Sequence, residues 1–363
     1  MRVGIDGAPL TIPYHNALRH YLENLIFNLA KIDKKNDYLI FTSKKIPIPK
    51  QKNFSLILIS DKLPILKRQI LLPLAVKSQG LDIFHYPDVI GSVFFKLPKT
   101  IITVHDLAPS LAWPTWYESP KYAFMKYYNY FVRRYLFKYS SAFIVNSNYI
   151  SKEFKKFTKL IKPITVIYEG VDLLFNPMKG VVDEFLLAMT DFSPRKNINR
   201  TLEAYSLFIT KTNLKIPLKA IVSTSYPKSA ILAKAKQLRI KKYVKVIENV
   251  SSAQLVQLYN RATCFLYPSL YEGFGLPLLE AMASGCPVIT SNYGAMKEVT
   301  GNAAYLVNPR SVSGIAYAMQ RVSTDKKLAE ILKKKGLKRA KQFSWRETAR
   351  KTLKVYEEVY KNG

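Results

Sequence analysis

Residues 270–290 read LYEGFGLPLLEAMASGCPVIT, and this stretch decides the fold class of the second half of the chain. Pro277 is suited to the first position of a helix, because its missing N–H costs no hydrogen bond there. Gly285 is placed to end that helix, and Pro287 prevents its continuation. The apolar run Val288–Thr290 then has the character of a buried strand. The stretch therefore predicts a glycine-rich loop, a helix and a strand in succession.

Two carboxylates, Glu272 and Glu280, lie eight residues apart on either side of the Gly-Phe-Gly loop. Amides at a helix N-terminus attract anions and hydroxyls, and glycine lets a ligand approach the backbone closely. A ligand that carries many hydroxyls and a phosphate suits this loop, and a sugar nucleotide fits that description. The same residues are also compatible with ordinary loop glycines and solvated glutamates. The loop differs from the dinucleotide-binding fingerprint, because Leu278 stands where a third glycine would follow.

The stretch resembles the glutamate-x7-glutamate signature of family 4 retaining glycosyltransferases, which have the GT-B fold. Further motifs follow in the order that is usual for this family: VHDL at 104–107, GVD at 170–172, SPRKN at 193–197, FLYPS at 265–269, EVTG at 298–301, AYLVNP at 304–309 and FSW at 343–345. The resemblance covers most of the chain. It implies an α/β protein with two facing Rossmann-like domains, each a doubly wound parallel sheet, and a hexosyltransferase that uses a nucleotide-sugar.

The resemblance also assigns roles to individual residues. Lys196 matches a lysine that contacts the donor phosphates, and Arg195 stands beside it. Glu272 matches a residue that contacts the donor sugar, and Glu280 one that holds the ribose hydroxyls. The residues that would bind the donor are then Arg195, Lys196, Glu272, Gly273, Phe274, Gly275, Leu276 and Glu280. Without the resemblance, an Arg-Lys pair in so basic a chain would be interpreted as a solvated surface.

His105 and Asp106 directly follow the apolar strand Ile101–Val104. Ligands of α/β domains bind at the carboxyl ends of strands, although a lone histidine is commonly structural and Asp106 could cap the following turn. In the family, the matching histidine reaches the donor sugar from the first domain. The resemblance therefore assigns His105 to catalysis, together with Lys196 and Glu272.

No two aspartates stand at i and i+2, so the sequence lacks the Asp-x-Asp metal clasp of GT-A enzymes. We expect no metal and no other cofactor, with a GDP- or UDP-sugar as co-substrate and mannose as the first candidate sugar. The acceptor is expected to be a glycan or a lipid-linked molecule. The segment Thr11–His20 departs from the family, because it lacks the glycine-rich loop that often follows the first strand.

Short apolar runs alternate with amphipathic stretches in both halves of the chain, which indicates parallel sheets with right-handed crossovers. We expect a domain at 1–172 that binds the acceptor, a nucleotide-sugar domain at 173–343, and a helix at 344–363 that crosses back to the first domain. The expected strands are Val3–Asp6, Tyr38–Thr42, Ser55–Ile59, Ile83–His85, Thr100–Val104, Ala142–Val145, Phe185–Met189, Lys219–Ser223, Val244–Val246, Thr263–Leu266 and Pro287–Thr290.

Composition limits the remaining function classes. The 363 residues are 48% hydrophobic, which argues against disorder. The two cysteines and the absence of a signal-peptide pattern or a long apolar run predict a cytoplasmic protein. The formal charge of +31 favours phosphorylated ligands, anionic lipid or nucleic acid. A lysine-rich surface without function explains it equally. No nucleic-acid motif is present, so no specific nucleic acid is expected.

Aromatic and basic residues interleave from Trp113 to Tyr139. This composition is typical of a membrane interface, which would suit peripheral binding to the inner face of the plasma membrane. A core-facing helix with a basic outer face explains it as well. Two other functions stay open at this point: a GT-B sugar phosphorylase or sucrose-type synthase, and a non-enzymatic polyanion-binding protein.

Overall fold

The computed structural model describes residues 1–12, 17–60, 66–95, 97–107, 131–180, 183–191, 193–222 and 228–362. The chain divides into two compact units. One consists of Met1–Gly170 together with Ser344–Gly363, and the other of Val171–Phe343. Each unit is an α/β assembly around its own parallel sheet.

Within the described residues, strands and helices alternate along the chain. The strands are β1 (Arg2–Asp6), β2 (Asp37–Thr42), β3 (Phe54–Leu58), β4 (Ile83–Tyr86), β5 (Lys99–Val104), β6 (Ala142–Val145), β7 (Ile164–Val166), β8 (Leu186–Thr190), β9 (Leu218–Val222), β10 (Val244–Glu248), β11 (Cys264–Tyr267), β12 (Val288–Ser291) and β13 (Tyr305–Val307). The helices are α1 (Ala17–Ile32), α2 (Leu72–Ser78), α3 (Asn148–Thr158), α4 (Ile198–Thr212), α5 (Lys228–Gln237), α6 (Ser252–Arg261), α7 (Leu276–Ala283), α8 (Gly294–Thr300), α9 (Val312–Thr324), α10 (Lys326–Ala340) and α11 (Trp345–Lys361).

The sheet of the first unit has the strand order β3-β2-β1-β4-β5-β6-β7, and all of its pairings are parallel. Strands β4 and β6 are buried along their whole length. Their continuous apolar character fits strands that are covered on both faces. All seven strands therefore present their carboxyl ends at one edge of the sheet.

The last helix, α11, belongs to the first unit although it follows the second in sequence. Its buried face includes Trp345, Ala349, Val355 and Tyr356. This face follows the helical period, and the helix packs against α1. The first unit is thus built from the two ends of the chain, which precede and follow the second unit in sequence.

The second unit repeats the same arrangement with the strand order β10-β9-β8-β11-β12-β13, again entirely parallel. One apolar cluster on this sheet joins β8 and β11 to α4 and α9, through residues such as Leu186, Leu202, Leu266 and Ile315. Parallel sheets between helices bury both of their faces in this way.

The two parallel-sheet, Rossmann-like units confirm the α/β fold class that the sequence predicts. Each expected strand overlaps an observed one, although Ile59, Phe185, Thr263 and Pro287 lie one residue outside the observed strands, and Ser223 lies outside the described residues. The sequence analysis missed β7 and β13, which are three residues long, stand at sheet edges and are mostly half-buried. None of the described helices is both long and apolar enough to cross a bilayer.

Candidate functional site

The second sheet reverses its strand order between β8 and β11. From β8 the chain moves outward through β9 and β10, and it then returns to β11 on the other side of β8. Ligands of open α/β sheets bind at such a reversal, in the crevice beyond the carboxyl ends of the strands. Arg195 and Lys196 follow β8, and Glu272 follows β11. The topology therefore places these three side chains at the point where the fold favours a ligand.

The Ser-Pro-Arg-Lys-Asn segment forms a tight connection between β8 and α4. Pro194–Lys196 is a short 3-10 turn, and the hydroxyl of Ser193 accepts a hydrogen bond from the amide of Arg195. Asn197 follows with φ 60°, in the left-handed region that asparagine tolerates. Its side-chain amide donates to the carbonyls of Pro268 (2.9 Å) and Pro309 (2.7 Å). Asn197 therefore ties three loops together and fixes the two cations beside it.

Both cations bind Glu272. The guanidinium of Arg195 donates to Glu272 Oε2 at 2.6 Å, and Lys196 Nζ donates to Oε1 at 2.8 Å. Burial by itself raises the pKa of Glu272, but the charges of Lys196 and Arg195 outweigh it and lower the pKa to about 2. Since Lys196 and Glu272 are 76 residues apart in sequence, this ion-pair cluster is a product of the fold.

Tyr267, at the end of β11, is the aromatic neighbour of Lys196. Its hydroxyl accepts a hydrogen bond from Lys196 Nζ, which also lies 4.7 Å from the centre of the tyrosine ring. Burial, and next the charge of Glu272, raise the pKa of Tyr267, so the phenol is neutral at ordinary pH. The lysine ammonium is thus oriented by a carboxylate and by an aromatic face.

The loop after Glu272 is buried and leads directly into α7. Gly275 has φ 102°, a conformation that side chains disfavour, and an added Cβ would lie 2.9 Å from the Leu278 side chain. The phenyl ring of Phe274 packs against that of Phe343 with a centroid distance of 5.9 Å. Pro277 is the second residue of α7, which begins one residue earlier than the sequence predicts. The candidate residues Gly273, Phe274, Gly275 and Leu276 therefore form one buried turn at a helix start.

Glu280 lies on α7 in a different environment from that of Glu272. The hydroxyl of Tyr259 donates to Glu280 Oε2 at 3.3 Å, and both side chains are buried. Burial, with a smaller contribution from Asp172, raises the pKa of Glu280 to about 7. The pKa of Glu272 therefore lies below the ordinary value for glutamate, whereas the pKa of Glu280 lies above it.

Replacement of Glu280 by glutamine is expected to stabilise the protein at pH 8. A carboxyl whose pKa rises from 4.5 to about 7 on folding destabilises the native state increasingly as the pH rises through this interval. The corresponding penalty is up to about 3 kcal/mol at pH 8 and is absent near pH 4. Urea denaturation at both pH values measures it, with Glu153→Gln as the control for charge. An E280Q protein that is no more stable than wild type at pH 8 contradicts the prediction.

In the first unit, His105 lies at the carboxyl edge of the sheet, directly after β5. Its Nδ1 is 3.0 Å from Glu169 Oε1, and its Nε2 is 3.0 Å from the carbonyl oxygen of Pro87. Glu169 also accepts a hydrogen bond from Asn146 Nδ2 at 3.0 Å. Asp106, the neighbour of His105, contributes a further negative charge near the imidazole.

The sequence analysis assigned no individual role to several residues of these two clusters, namely Tyr267, Asn197, Asn146 and Glu169. Tyr267 belongs to the FLYPS motif, but in an apolar strand it resembles a core aromatic, so the sequence does not predict its contact with Lys196. Asn197 offered a signal, since an asparagine directly before a helix favours a cap or a left-handed turn. Glu169 lies directly before the GVD motif, and the sequence assigns it no role. Among the described residues, no group of three or more His, Cys, Asp or Glu side chains could hold a metal ion.

Two segments singled out in the sequence lie partly outside the described residues. Of Thr11–His20, residues 13–16 are not described, and of Trp113–Tyr139, residues 113–130 are not. The rest of the second segment is helical, with Val132 and Leu136 buried while Phe131 and Tyr139 are 60% and 55% exposed. One face of this helical stretch therefore packs into the core, which fits the interpretation of the segment as a core-facing helix.

Comparison with known families gives two matches that follow one another along the chain. Residues 20–174 match the family described as Glycosyltransferase Family 4. Residues 178–339 match Glycosyl transferases group 1. The second match contains the cluster of Arg195, Lys196 and Glu272, and the first contains His105 and Glu169.

Two curated relatives are mannosyltransferases by name. O-antigen chain mannosyltransferase B of Escherichia coli is 34% identical over 172 residues, which are 47% of this chain and 45% of that protein. The chain thus matches less than half the length of this relative. The MMP alpha-(1->4)-mannosyltransferase of Mycolicibacterium hassiacum is 28% identical over 305 residues, which are 79% of this chain and 72% of that protein.

Solved structures share the fold over the whole chain. Sucrose-phosphate synthase from Thermosynechococcus elongatus has a TM-score of 0.78 at 18% identity, with 100% of both chains covered. Anabaena Alr3699/HepE, solved in complex with UDP and glucose, has a TM-score of 0.70 at 14% identity, with 99% of this chain and 100% of that chain covered.

Proposed function

The chain belongs to the family 4 glycosyltransferases of the GT-B fold, and we propose that it transfers a hexose from a nucleotide-sugar to a glycan or lipid-linked acceptor. Mannose is the proposed sugar, since the curated relatives described above are named as mannosyltransferases. The proposed setting is the assembly of a polysaccharide or glycolipid, as the name of the O-antigen relative suggests.

One observation carries this proposal: two cations and a carboxylate meet at the strand reversal of the second sheet. A nucleoside diphosphate leaves with developing negative charge, which fixed cations stabilise in the transition state. We assign this task to Lys196 and Arg195. Glu272 is assigned to the hydroxyls of the donor sugar, and Gly273 to Leu276 to the phosphates through the helix start.

Glu280 is assigned to the ribose hydroxyls of the donor. Its burial beside Tyr259 supports this role, because a carboxyl kept in a place that disfavours its charge is a common mark of a functional site. The E280Q variant is therefore expected to be more stable than wild type at pH 8 while binding the donor more weakly. A stabilised variant with unchanged donor affinity would leave Glu280 without this role.

The proposed reaction retains the configuration at the sugar carbon. The acceptor hydroxyl oxygen attacks C1 on the face from which the diphosphate departs, the C1–O bond breaks, and a phosphate oxygen takes the acceptor proton. Lys196 and Arg195 balance the charge that gathers on the phosphate. We propose that these cations suffice without a divalent ion, and transfer that persists in excess EDTA is the expected result.

A screen of nucleotide-sugars tests the proposal. Purified protein is mixed with GDP-, UDP- and ADP-sugars, and binding is followed by thermal shift and by saturation-transfer NMR. We expect at least one sugar nucleotide to stabilise the protein by mass action, with GDP-mannose as the first candidate. Product analysis then separates this function from a phosphorylase, which needs no nucleotide. Absence of binding by every donor contradicts the proposal.

A lipid-linked acceptor would bring the protein to a membrane surface. Phe131 and Tyr139 are exposed on the helical stretch that also carries Arg133, Arg134 and Lys138. Exposed aromatics beside basic residues suit the interface of an anionic bilayer. Flotation with anionic liposomes at physiological salt tests this. Recovery of the protein in the unbound fraction contradicts peripheral binding.

A further inference from the structure

Both ring nitrogens of His105 face hydrogen-bond acceptors. Nδ1 lies 3.0 Å from the carboxylate of Glu169, and Nε2 lies 3.0 Å from the carbonyl oxygen of Pro87. An ionised carboxylate and a backbone carbonyl accept hydrogen bonds and donate none. A neutral imidazole would direct one lone pair at an acceptor, so only the doubly protonated ring satisfies both contacts.

His85, 20 residues earlier, shows the opposite arrangement in the same sheet. Its Nδ1 is 2.7 Å from the hydroxyl of Tyr356, and its Nε2 is 2.8 Å from that of Thr103. A hydroxyl can donate or accept, so a neutral ring satisfies both contacts. Burial, and to a smaller extent the charge of His105, lower the pKa of His85 to about 3. The two histidines therefore face opposite kinds of hydrogen-bond partner.

The carboxylate of Glu169 is held in place before any ligand arrives. Its side chain is 5% exposed, and Asn146 Nδ2 donates to the same oxygen that accepts from His105. The neighbouring backbone is also fixed, since the carbonyl of Tyr168 accepts from the hydroxyl of Thr348 at 2.8 Å. Because Glu169 is already fixed, it can orient His105 without losing conformational entropy when the substrate binds.

The surroundings of His105 favour its charged form. Burial by itself lowers the pKa of His105, but the hydrogen bond and charge of Glu169, with smaller contributions from Asp88 and Asp106, raise it above the ordinary value. Tyr21 of α1 packs its ring at 4.5 Å from the imidazole, and burial keeps this phenol neutral. With His85 neutral as well, no cation among these neighbours opposes the imidazolium.

We propose that His105 acts as a positively charged hydrogen-bond donor at neutral pH and that Glu169 is the positioning residue that keeps it in this form. The inference rests on the proposed glycosyl transfer and on the catalytic role that the family resemblance assigns to His105. His105 then abstracts no proton during the reaction. Its Nε2–H exchanges the carbonyl of Pro87 for an oxygen acceptor of the substrate, a sugar hydroxyl.

Histidine NMR on the full chain tests the charge directly. Protein labelled with ¹³Cε1-histidine gives four ring signals, and the variant His105→Gln identifies the one of interest. We expect this signal to titrate above the ordinary histidine range and to move to lower pH in Glu169→Gln. His85 is the internal control, because it stays neutral from pH 5 to 9. Glu153→Gln, which removes a carboxylate elsewhere in the same unit, should leave the titration of His105 unchanged.

Activity then shows whether this charge matters. The alkaline limb of the kcat profile should shift to lower pH in E169Q, with a loss of about tenfold at pH 8 and less at pH 6. Glu169→Asp keeps the charge and should recover part of the activity. A His105 signal that titrates at or below the ordinary value, or that E169Q does not move, overturns the inference. A kcat profile that E169Q leaves in place also overturns it. A protein that transfers no sugar would refute the proposed function, whereas the NMR result would still decide the charge of His105.

Discussion

Lys196→Met is expected to lower kcat/KM for sugar transfer by at least about a hundredfold. The substitution keeps most of the aliphatic stem and removes the ammonium that donates to Glu272 at 2.8 Å. Loss of one preorganised donor to a developing anion has an effect of about this size on catalysis. Arg195 still binds Glu272 at 2.6 Å, so the carboxylate keeps one cationic partner and the loop that carries Glu272 is expected to fold.

The control for this variant is Lys211→Met, which changes an exposed lysine on α4, the helix that follows the Lys196 turn. Initial rates at saturating and at limiting donor separate a binding effect from an effect on chemistry. A K196M enzyme with at least a third of the wild-type kcat/KM, alongside an unaffected K211M, would remove Lys196 from the catalytic machinery.

Gly170→Ala is expected to lower the free energy of unfolding by at least about 3 kcal/mol or to prevent folding. A Cβ at this position would lie 2.2 Å from the backbone nitrogen of Trp345 and 2.7 Å from the carbonyl carbon of Ser344. These are backbone atoms, so no side-chain rotation relieves the overlap. Gly170 does not have a positive φ, so the effect comes from close packing and not from backbone strain.

Gly314→Ala is the matched control for this prediction. There the added Cβ would meet only the side chain of Ser311, at 3.0 Å, and alanine favours the helix α9 by up to about 1 kcal/mol. Urea denaturation of both variants measures the difference. An alanine at position 170 that costs no more than the one at position 314 would contradict the packing of α11 against this segment.

The two glutamates of the Glu272–Glu280 segment have pKa values that are shifted in opposite directions. Both are buried, and burial alone raises the pKa of each. Glu272 meets two cations, whereas Glu280 meets the neutral phenol of Tyr259 and the negative charge of Asp172. The opposite shifts follow from partners that the fold supplies, since these partners come from other loops and helices.

The sequence predicts the fold well because strand and helix signals are local. Alternating apolar runs identify the central strands, where burial on both faces imposes a continuous hydrophobic stretch. The sequence did not predict the edge strands β7 and β13, because short and half-buried strands lack a continuous hydrophobic stretch. Pro277 and Gly285 marked the limits of α7 through backbone geometry that those residue types impose.

The candidate site is less accessible to the sequence, because its contacts are between distant residues. Motif resemblance named Lys196, Arg195 and Glu272 individually, but it did not predict that they bind one another. Tyr267 and Glu169 carried no local signal that separates them from a core aromatic and a loop acid. Their roles emerge only when the strand order brings β8 beside β11, and β6 between β5 and β7.

The measurement that tests the central claim most directly is donor binding by wild type and by K196M, without divalent metal. Calorimetric titration with GDP-mannose, UDP-glucose and ADP-glucose should give saturable binding of at least one donor to wild type. The same donor should bind K196M at least about tenfold more weakly. Equal affinity of both proteins, or no binding of any sugar nucleotide to wild type, would contradict the assignment of a nucleotide-sugar site to Lys196, Arg195 and Glu272.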